Sequence, residues 1–346
     1  MVNKSVCLIY DDIFLEHRGP RGHPERPERL KIALRSIKEH NLPVNFIKPI
    51  NGEISIALRV HDKGYVSHVT EMLKRAFTFL DPDTYLSEGS LKAILHALGG
   101  SIQSADLAFS ENKTIFLMPR PPGHHAGIRG RAMGAPTLGF CVFNNIAVVI
   151  HRLLEKGVKR ILVIDFDAHH GNGTQEIFYK NPNVVHIDLH QDPFTLYPGT
   201  GFIYDIGEEE AEGTKVNIVL PPGSGDDAYE IAIREVIEPI ISQFKPSAII
   251  YSAGFDAYLN DGLASLRMSS NSLHKLASLS SNVNILVAVL EGGYSAGLRR
   301  GVPAFVSGLL GIEDPIKDEK TTTADISTFK RDLRSLKDLL STKWSF

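Results

Sequence analysis

Short runs rich in Val and Ile, apolar from end to end, recur along this chain and restrict its fold more than any other feature. They fall at Val6–Tyr10, Thr114–Met118, Ile161–Asp167, Val184–His190, Val216–Leu220, Ala248–Ser252 and Ile285–Leu290. A strand with one wet face alternates apolar and polar residues, whereas unbroken hydrophobicity marks a strand covered on both faces. Amphipathic or apolar helical stretches separate the runs, at Pro27–His40, Ser90–Phe109, Asn144–Lys156, Asp227–Phe244, Asn271–Ser281 and Tyr294–Leu310. This alternation predicts an α/β fold, a single parallel β-sheet with helices on both faces. Ligands of such sheets bind beyond the carboxyl ends of the strands, so the polar residues that follow each run are the ones to read for function.

Charge and cysteine content narrow the classes. The 37 basic and 40 acidic side chains of the 346 residues leave a formal charge of -3, without the basic excess that direct nucleic-acid binding needs. Two cysteines, Cys7 and Cys141, exclude a disulfide framework and a four-cysteine zinc ribbon and suit a reducing compartment. Lys4 and the apolar run ending at Asp11 and Asp12 are too short for a signal-peptide core. No apolar run approaches the ~18 residues of a membrane span. The expectation is a cytoplasmic protein with no membrane partner. Composition shifts once, to a polar stretch from Glu313 to Thr323, after which Ile326, Phe329, Leu333, Leu336 and Leu340 mark one helical face. We therefore expect a catalytic domain over 1–311, followed over 312–346 by a charged linker and an amphipathic helix docked on the same domain. Oligomerisation is left open.

The run Ile161–Asp165 leads into Phe-Asp167-Ala-His169-His170-Gly171. Alternation along a strand would point Asp165, Asp167 and His169 the same way. Carboxylates crowded at an apolar strand end need a cation or hydrogen bonds, and metal is the economical answer. Asp256 ends another apolar run, so Asp167, His169 and Asp256 offer one nitrogen, two oxygens and an open position, the pattern of a catalytic zinc site. Ferrous iron suits the same donors. A lone Asp256 would read as a helix cap; the four residues together favour metal. After another strand, Arg120-Pro-Pro-Gly-His124-His125-Ala-Gly127 places two histidines on a rigid turn that should expose at least one of them. They suit acid–base work, with Asp165 as the carboxylate behind one ring. The turn Glu291-Gly-Gly-Tyr294 offers a phenol as oxyanion donor, although a buried structural tyrosine explains it equally well in isolation. Cys141 reads as packing.

Six ordered stretches, His23-Pro-Glu-Arg-Pro-Glu-Arg29, Arg120–Gly127, Gly139-Phe-Cys-Val-Phe-Asn-Asn145, Asp165–Gln175, Ser252–Asp256 and Glu291–Tyr294, closely resemble the zinc-dependent histone deacetylases. Within that family the chain looks like the class II branch and its prokaryotic relatives, the acetylpolyamine amidohydrolases and acetoin-utilisation proteins. The resemblance implies the arginase-deacetylase fold and Zn2+ on Asp167, His169 and Asp256. It further implies His125 as general base, His124 as its electrostatic partner paired with Asp165, and Tyr294 as the group that polarises the amide carbonyl. Gly139, Phe140 and Tyr197 would line an acyl-lysine tunnel, and Arg29 would stand near an acetate channel. Three positions depart from the pattern. Tyr197 stands where phenylalanine is frequent, Asn172 replaces an aspartate behind His125, and Asp188 replaces the serine usual at a structural K+ site near Asp165.

The function implied is zinc-dependent hydrolysis of N-acetyl amides, with acetyl-lysine in protein or peptide as the expected substrate. An amidohydrolase of acetylpolyamines or other small acetylated amines is the alternative, and a catalytically silent acyl-lysine-binding module is a reading of another class. A two-metal ureohydrolase is disfavoured because Gly171 and Tyr258 stand where its additional acids would be. Substrate choice turns on Leu263, aligned with a glutamate of the acetylpolyamine-specialised relative, and on the short crossing Asp81-Pro-Asp83-Thr-Tyr85, where dedicated acetylpolyamine enzymes carry a long insertion. Both predict an open mouth that prefers extended acetyl-lysine substrates, with Asp83 accepting from the peptide backbone.

Overall fold

The computed structural model describes residues 5–346 and contains an eight-stranded sheet; Lys4 and the residues before it lie outside the description. In chain order the strands are β1 (Val6–Ile9), β2 (Val44–Ile47), β3 (Thr114–Leu117), β4 (Ile161–Asp165), β5 (Val184–Gln191), β6 (Lys215–Leu220), β7 (Ala248–Ala253) and β8 (Ile285–Leu290). Their spatial order is β6-β5-β4-β7-β8-β3-β1-β2 and every pairing is parallel. Seven of the eight match the apolar runs. The eighth, β2, lies at the sheet edge with Phe46 59% exposed, so it carries no continuous apolar signal.

Alternation within each strand builds two cores. Leu162 and Ile164 of β4, with Ile249 and Tyr251 of β7, pack with the helices Glu28–Glu39, Ser270–Ser278 and Val302–Leu310 on one face. Val163 of β4 and Ile250 of β7 pack on the other, with Ser90–Glu111 and Asn145–Glu155. This is the doubly covered sheet that continuous hydrophobicity predicts. The helix expected from Tyr294 starts later: Glu291–Tyr294 form a turn, and helical structure begins near Gly297.

The helix Ile326–Leu340 buries Phe329, Leu333, Leu336 and Leu340 in the first core, alongside Val216, Ile218 and Leu220 of the edge strand β6. Trp344 follows, 7% exposed, and its indole N–H donates to the carbonyl of Gly213 at 2.7 Å. The polar stretch before this helix is also held. Asp318 accepts from Ser270 N at 3.0 Å and pairs with Arg300 and with the hydroxyl of Tyr258. Among the described residues no helix is long and apolar enough to cross a membrane.

Candidate active site

At the carboxyl ends of β4, β7 and β8, Asp167, His169 and Asp256 bring one donor atom each within 4.8 Å of one another, all buried. His169 Nδ1 lies 3.0 Å from Asp167 Oδ1 and 3.0 Å from Asp256 Oδ2. Backbone amides orient the carboxylates: His169 N and Gly292 N donate to Asp167, and Ala168 N donates to Asp256 at 2.8 Å. A Cβ on Gly254 would collide with Asp167, and one on Gly292 with both carboxylates, so glycine is required beside the group. Two carboxylate oxygens and one imidazole nitrogen so close together make a donor set that could hold a metal ion. Asp165 and Asp167 both face the ring of His124, at 3.1 and 3.9 Å. Regular pairing stops at Asp165, which also forms a second group with His186 and Asp188.

The two histidines are both buried, His124 3% and His125 4% exposed, contrary to the expectation that the turn leaves one outside. Gly139 and Tyr197, from two separate loops, pack against His125, and Glu291 holds the backbone of Gly123 and His124 from beneath. His124 Nδ1 is 3.1 Å from Asp165 Oδ2. Burial opposes charge on His124, yet the Asp165 and Asp167 carboxylates hold it well above the ordinary imidazole range. Burial and the neighbouring His124 push His125 well below that range. His125 Nδ1 faces Asn172 Oδ1 at 2.8 Å, and an amide oxygen there accepts the Nδ1 proton and leaves Nε2 as the basic atom. That answers which group stands behind His125: a neutral one.

Tyr294 is held through its backbone and ring. Its amide donates to Asp261 Oδ2 at 2.6 Å, while the Arg29 guanidinium sits 4.9 Å from its ring centroid and donates to the carbonyls of Gly293, at 2.6 Å, and Glu291. Arg29 is itself fixed by the buried Glu25, 3.2 Å away, which also binds Arg120 and accepts from Tyr85 Oη at 2.7 Å. Burial opposes the charge of Glu25, but Arg120 holds its carboxyl well below the usual range. Burial pushes the Tyr294 phenol up, so it stays protonated and able to donate.

Phe140 and Tyr197 flank these groups. The Phe140 ring lies 6.2 Å from Tyr294, and the Tyr197 ring stands edge-on to His125 at 5.0 Å with its hydroxyl donating to Thr137 O. Gly139, at φ +55°, fits between His125 and Tyr197, where a Cβ would strike both. Thr84 Oγ1 accepts from Phe140 N and donates to the Asp83 carboxylate at 2.7 Å. Asp83 is thereby held beside Phe140 through Thr84. Leu263 is 37% exposed.

The histone deacetylase domain model matches residues 23–309. The chain belongs to the histone deacetylase family. It is 40% identical over 341 residues to an uncharacterized protein of Methanocaldococcus jannaschii, covering 98% of each chain. It is 38% identical over 299 residues to a probable deacetylase of Archaeoglobus fulgidus, covering 83% of this chain and 81% of that one. With histone deacetylase 14, chloroplastic, of Arabidopsis thaliana it shares 33% identity over 361 residues, covering 96% and 83%. The solved structure of the HDA15 HD domain superposes with a TM-score of 0.87 at 31% identity, covering 99% of this chain and 96% of that one. Family and relatives support deacetylase activity, and the fold is the arginase-deacetylase fold.

In this deacetylase, sequence reading missed the residues that hold the others. Glu25, Arg120, Asp261 and Glu291 act on segments distant in sequence; Glu291 Oε2, for example, accepts from Gly123 N at 2.8 Å and His124 N at 3.1 Å. The only signal available was an acid or arginine inside an apolar or glycine-rich motif.

Proposed function

We propose that this chain hydrolyses N-acetyl amides, with acetyl-lysine in a protein or peptide as its substrate, and that Asp167, His169 and Asp256 hold the metal, Zn2+ or in its place Fe2+. The observation that carries the reading is the pair of adjacent buried imidazoles beside this donor group, one backed by a carboxylate and the other by an amide oxygen. When bound, the metal would supply a water of pKa near ~7 and Lewis acidity toward the carbonyl. His125 takes the proton at Nε2 as water attacks and returns it to the leaving amine, its tautomer fixed by Asn172. His124, kept cationic by Asp165, stabilises the negative charge that develops nearby. The protonated Tyr294 phenol donates to the oxyanion. Arg29 positions the turn that carries this tyrosine and lies where acetate would leave. Phe140, Gly139 and Tyr197 form the walls around the acyl-lysine stem.

Acetyl-lysine is favoured over a polyamine because Leu263 stands where a polyamine-specialised relative carries a glutamate, while Asp83, held by Thr84 Oγ1 at 2.7 Å, would accept from the peptide backbone. Leu263 is apolar, and the nearby Asp261 is 4% exposed with both oxygens occupied by backbone amides. A second ammonium would be desolvated there without a partner. Residues 1–311 then form the catalytic domain and 312–346 an appended segment docked on it. The Asp165, His186 and Asp188 group is a candidate for the structural K+ site, although Asp188 already accepts from Gly171 N and pairs with His190 at 2.7 Å. The test is turnover of acetyl-lysine peptides against acetylspermidine and acetylputrescine by the zinc-loaded chain. Higher kcat/KM for the peptides supports the reading. Binding of the peptides without acetate release would point to the silent reader instead.

A further inference from the structure

No described residue hydrogen-bonds the Tyr294 hydroxyl, so the phenol is placed by the Arg29 guanidinium over its ring and by the backbone beneath it. That backbone is gripped from two sides. Arg29 takes the carbonyls of Glu291 and Gly293, and the N–H groups on the other side converge on one side chain, Asp261. Asp261 Oδ2 accepts from Tyr294 N at 2.6 Å, and Oδ1 accepts from Ser295 N at 2.8 Å and Gly297 N at 2.7 Å. These are amides at the amino end of the following helix, where intrahelical acceptors are missing. The segment carrying Asp261 is shaped for this. Asn260, at φ +62°, and Gly262, at φ +120°, both adopt left-handed backbone on either side of it. A non-glycine residue held in that region signals a demand from its surroundings. The same loop starts at the metal-ligand candidate Asp256 and reaches the mouth at Leu263.

We infer that Asp261 is a positioning residue for catalysis, aligning the Tyr294 phenol by fixing the amides of Tyr294, Ser295 and Gly297 while touching no substrate itself. This rests on the deacetylase reading given above, and its test separates the two. Asp261→Asn presents an amide group where the carboxylate oxygens accept, so one N–H loses its partner. It should lower kcat by roughly 10–100-fold with KM and zinc stoichiometry near those of the unaltered chain, as for an interaction felt in the transition state. The double variant Asp261→Asn/Tyr294→Phe should be no slower than Tyr294→Phe, since both remove the same contribution. With 3-fluorotyrosine at position 294, the fluorine resonance should be single in the unaltered chain and broadened or doubled in Asp261→Asn. If Asp261→Asn does not accumulate folded, Gly262→Ala replaces it: the added Cβ meets nothing within 4 Å, so it disturbs only the φ that aims Asp261. It should give the same signature at smaller amplitude. Losses that multiply in the double variant, or unchanged kcat and an unchanged resonance, would overturn the inference. Should no acetylated amine be turned over by the unaltered chain, the functional reading fails while the fluorine spectra still decide the role of Asp261.

Discussion

His124 and His125 are neighbours in sequence with ring centroids 4.0 Å apart, yet their surroundings drive their charges in opposite directions. A carboxylate backs the first and an amide the second, so only His125 is free to accept a proton. His125→Ala should reduce kcat by at least ~10²–10⁴ and leave zinc content unchanged, measured by metal analysis beside the kinetic assay. Loss of metal in that variant would move His125 into the ligand set. Lys215 shows the opposite economy. It is buried in the edge strand, donates to Val184 O and Thr214 Oγ1 at 2.7 Å, and no carboxylate pairs with it. Burial pushes its pKa down to about 7 from 10.5. Between about pH 7 and 10.5 the unfolded chain holds a proton that the folded chain does not, so stability from this group rises with pH across that window. Lys215→Met should therefore stabilise the chain by roughly 1–3 kcal/mol at pH 7 and below, and the gain should vanish toward pH 10.5. Denaturation midpoints at several pH values check it; a pH-independent difference would refute it. The residues with chemistry in the site were legible because their types are costly in apolar motifs. Glu25 and Asp261 were not, because Glu25 serves the side chains of Arg120 and Tyr85 and Asp261 the backbone amides of Tyr294, Ser295 and Gly297, all far away in sequence, and no spacing encodes that.

The turn Glu291–Tyr294 and the loop from Asp256 to Leu263 are the elements on which the site depends. Gly292 belongs to the first by necessity, since a side chain there would enter the space of both carboxylates. Gly292→Ala should weaken zinc binding by roughly 10–100-fold, as disturbance of groups that orient ligands does, and equilibrium dialysis would show it. Wild-type affinity would place the ion elsewhere. Leu263→Glu tests the second element: a carboxylate at the mouth should raise kcat/KM for acetylspermidine relative to an acetyl-lysine peptide. No change would remove Leu263 from the mouth. Seven strands were legible from continuous hydrophobicity, and β2 was not, because an edge strand with Phe46 largely in water lacks that pattern. The late start of the helix after Tyr294 was equally hidden, because its amino-end amides are capped by a side chain from another loop.

Over the whole molecule, the carboxyl-terminal segment packs on the face of the edge strand β6, and its five buried side chains, Phe329, Leu333, Leu336, Leu340 and Trp344, belong to the same core as the strands. Phe329→Ala should cost about 3–5 kcal/mol, read as a lower denaturant midpoint, if this helix unfolds with the sheet. A separate early transition with the main one unmoved would show that it folds apart. The polar stretch before the helix reads as a charged linker in sequence, because its anchors are single polar pairs, Asp318 with Arg300 and Thr321 with the distant Asp226, that no local pattern encodes. Trp344, seated at the end of this segment with its indole bonded to Gly213, is the single tryptophan of the sequence. Light absorbed at the red edge of the protein spectrum therefore reports from that one seat. Emission from the chain acts as an optical gauge of whether the terminal segment is in place, blind to the chemistry at the far ends of the strands, and it comes without any label.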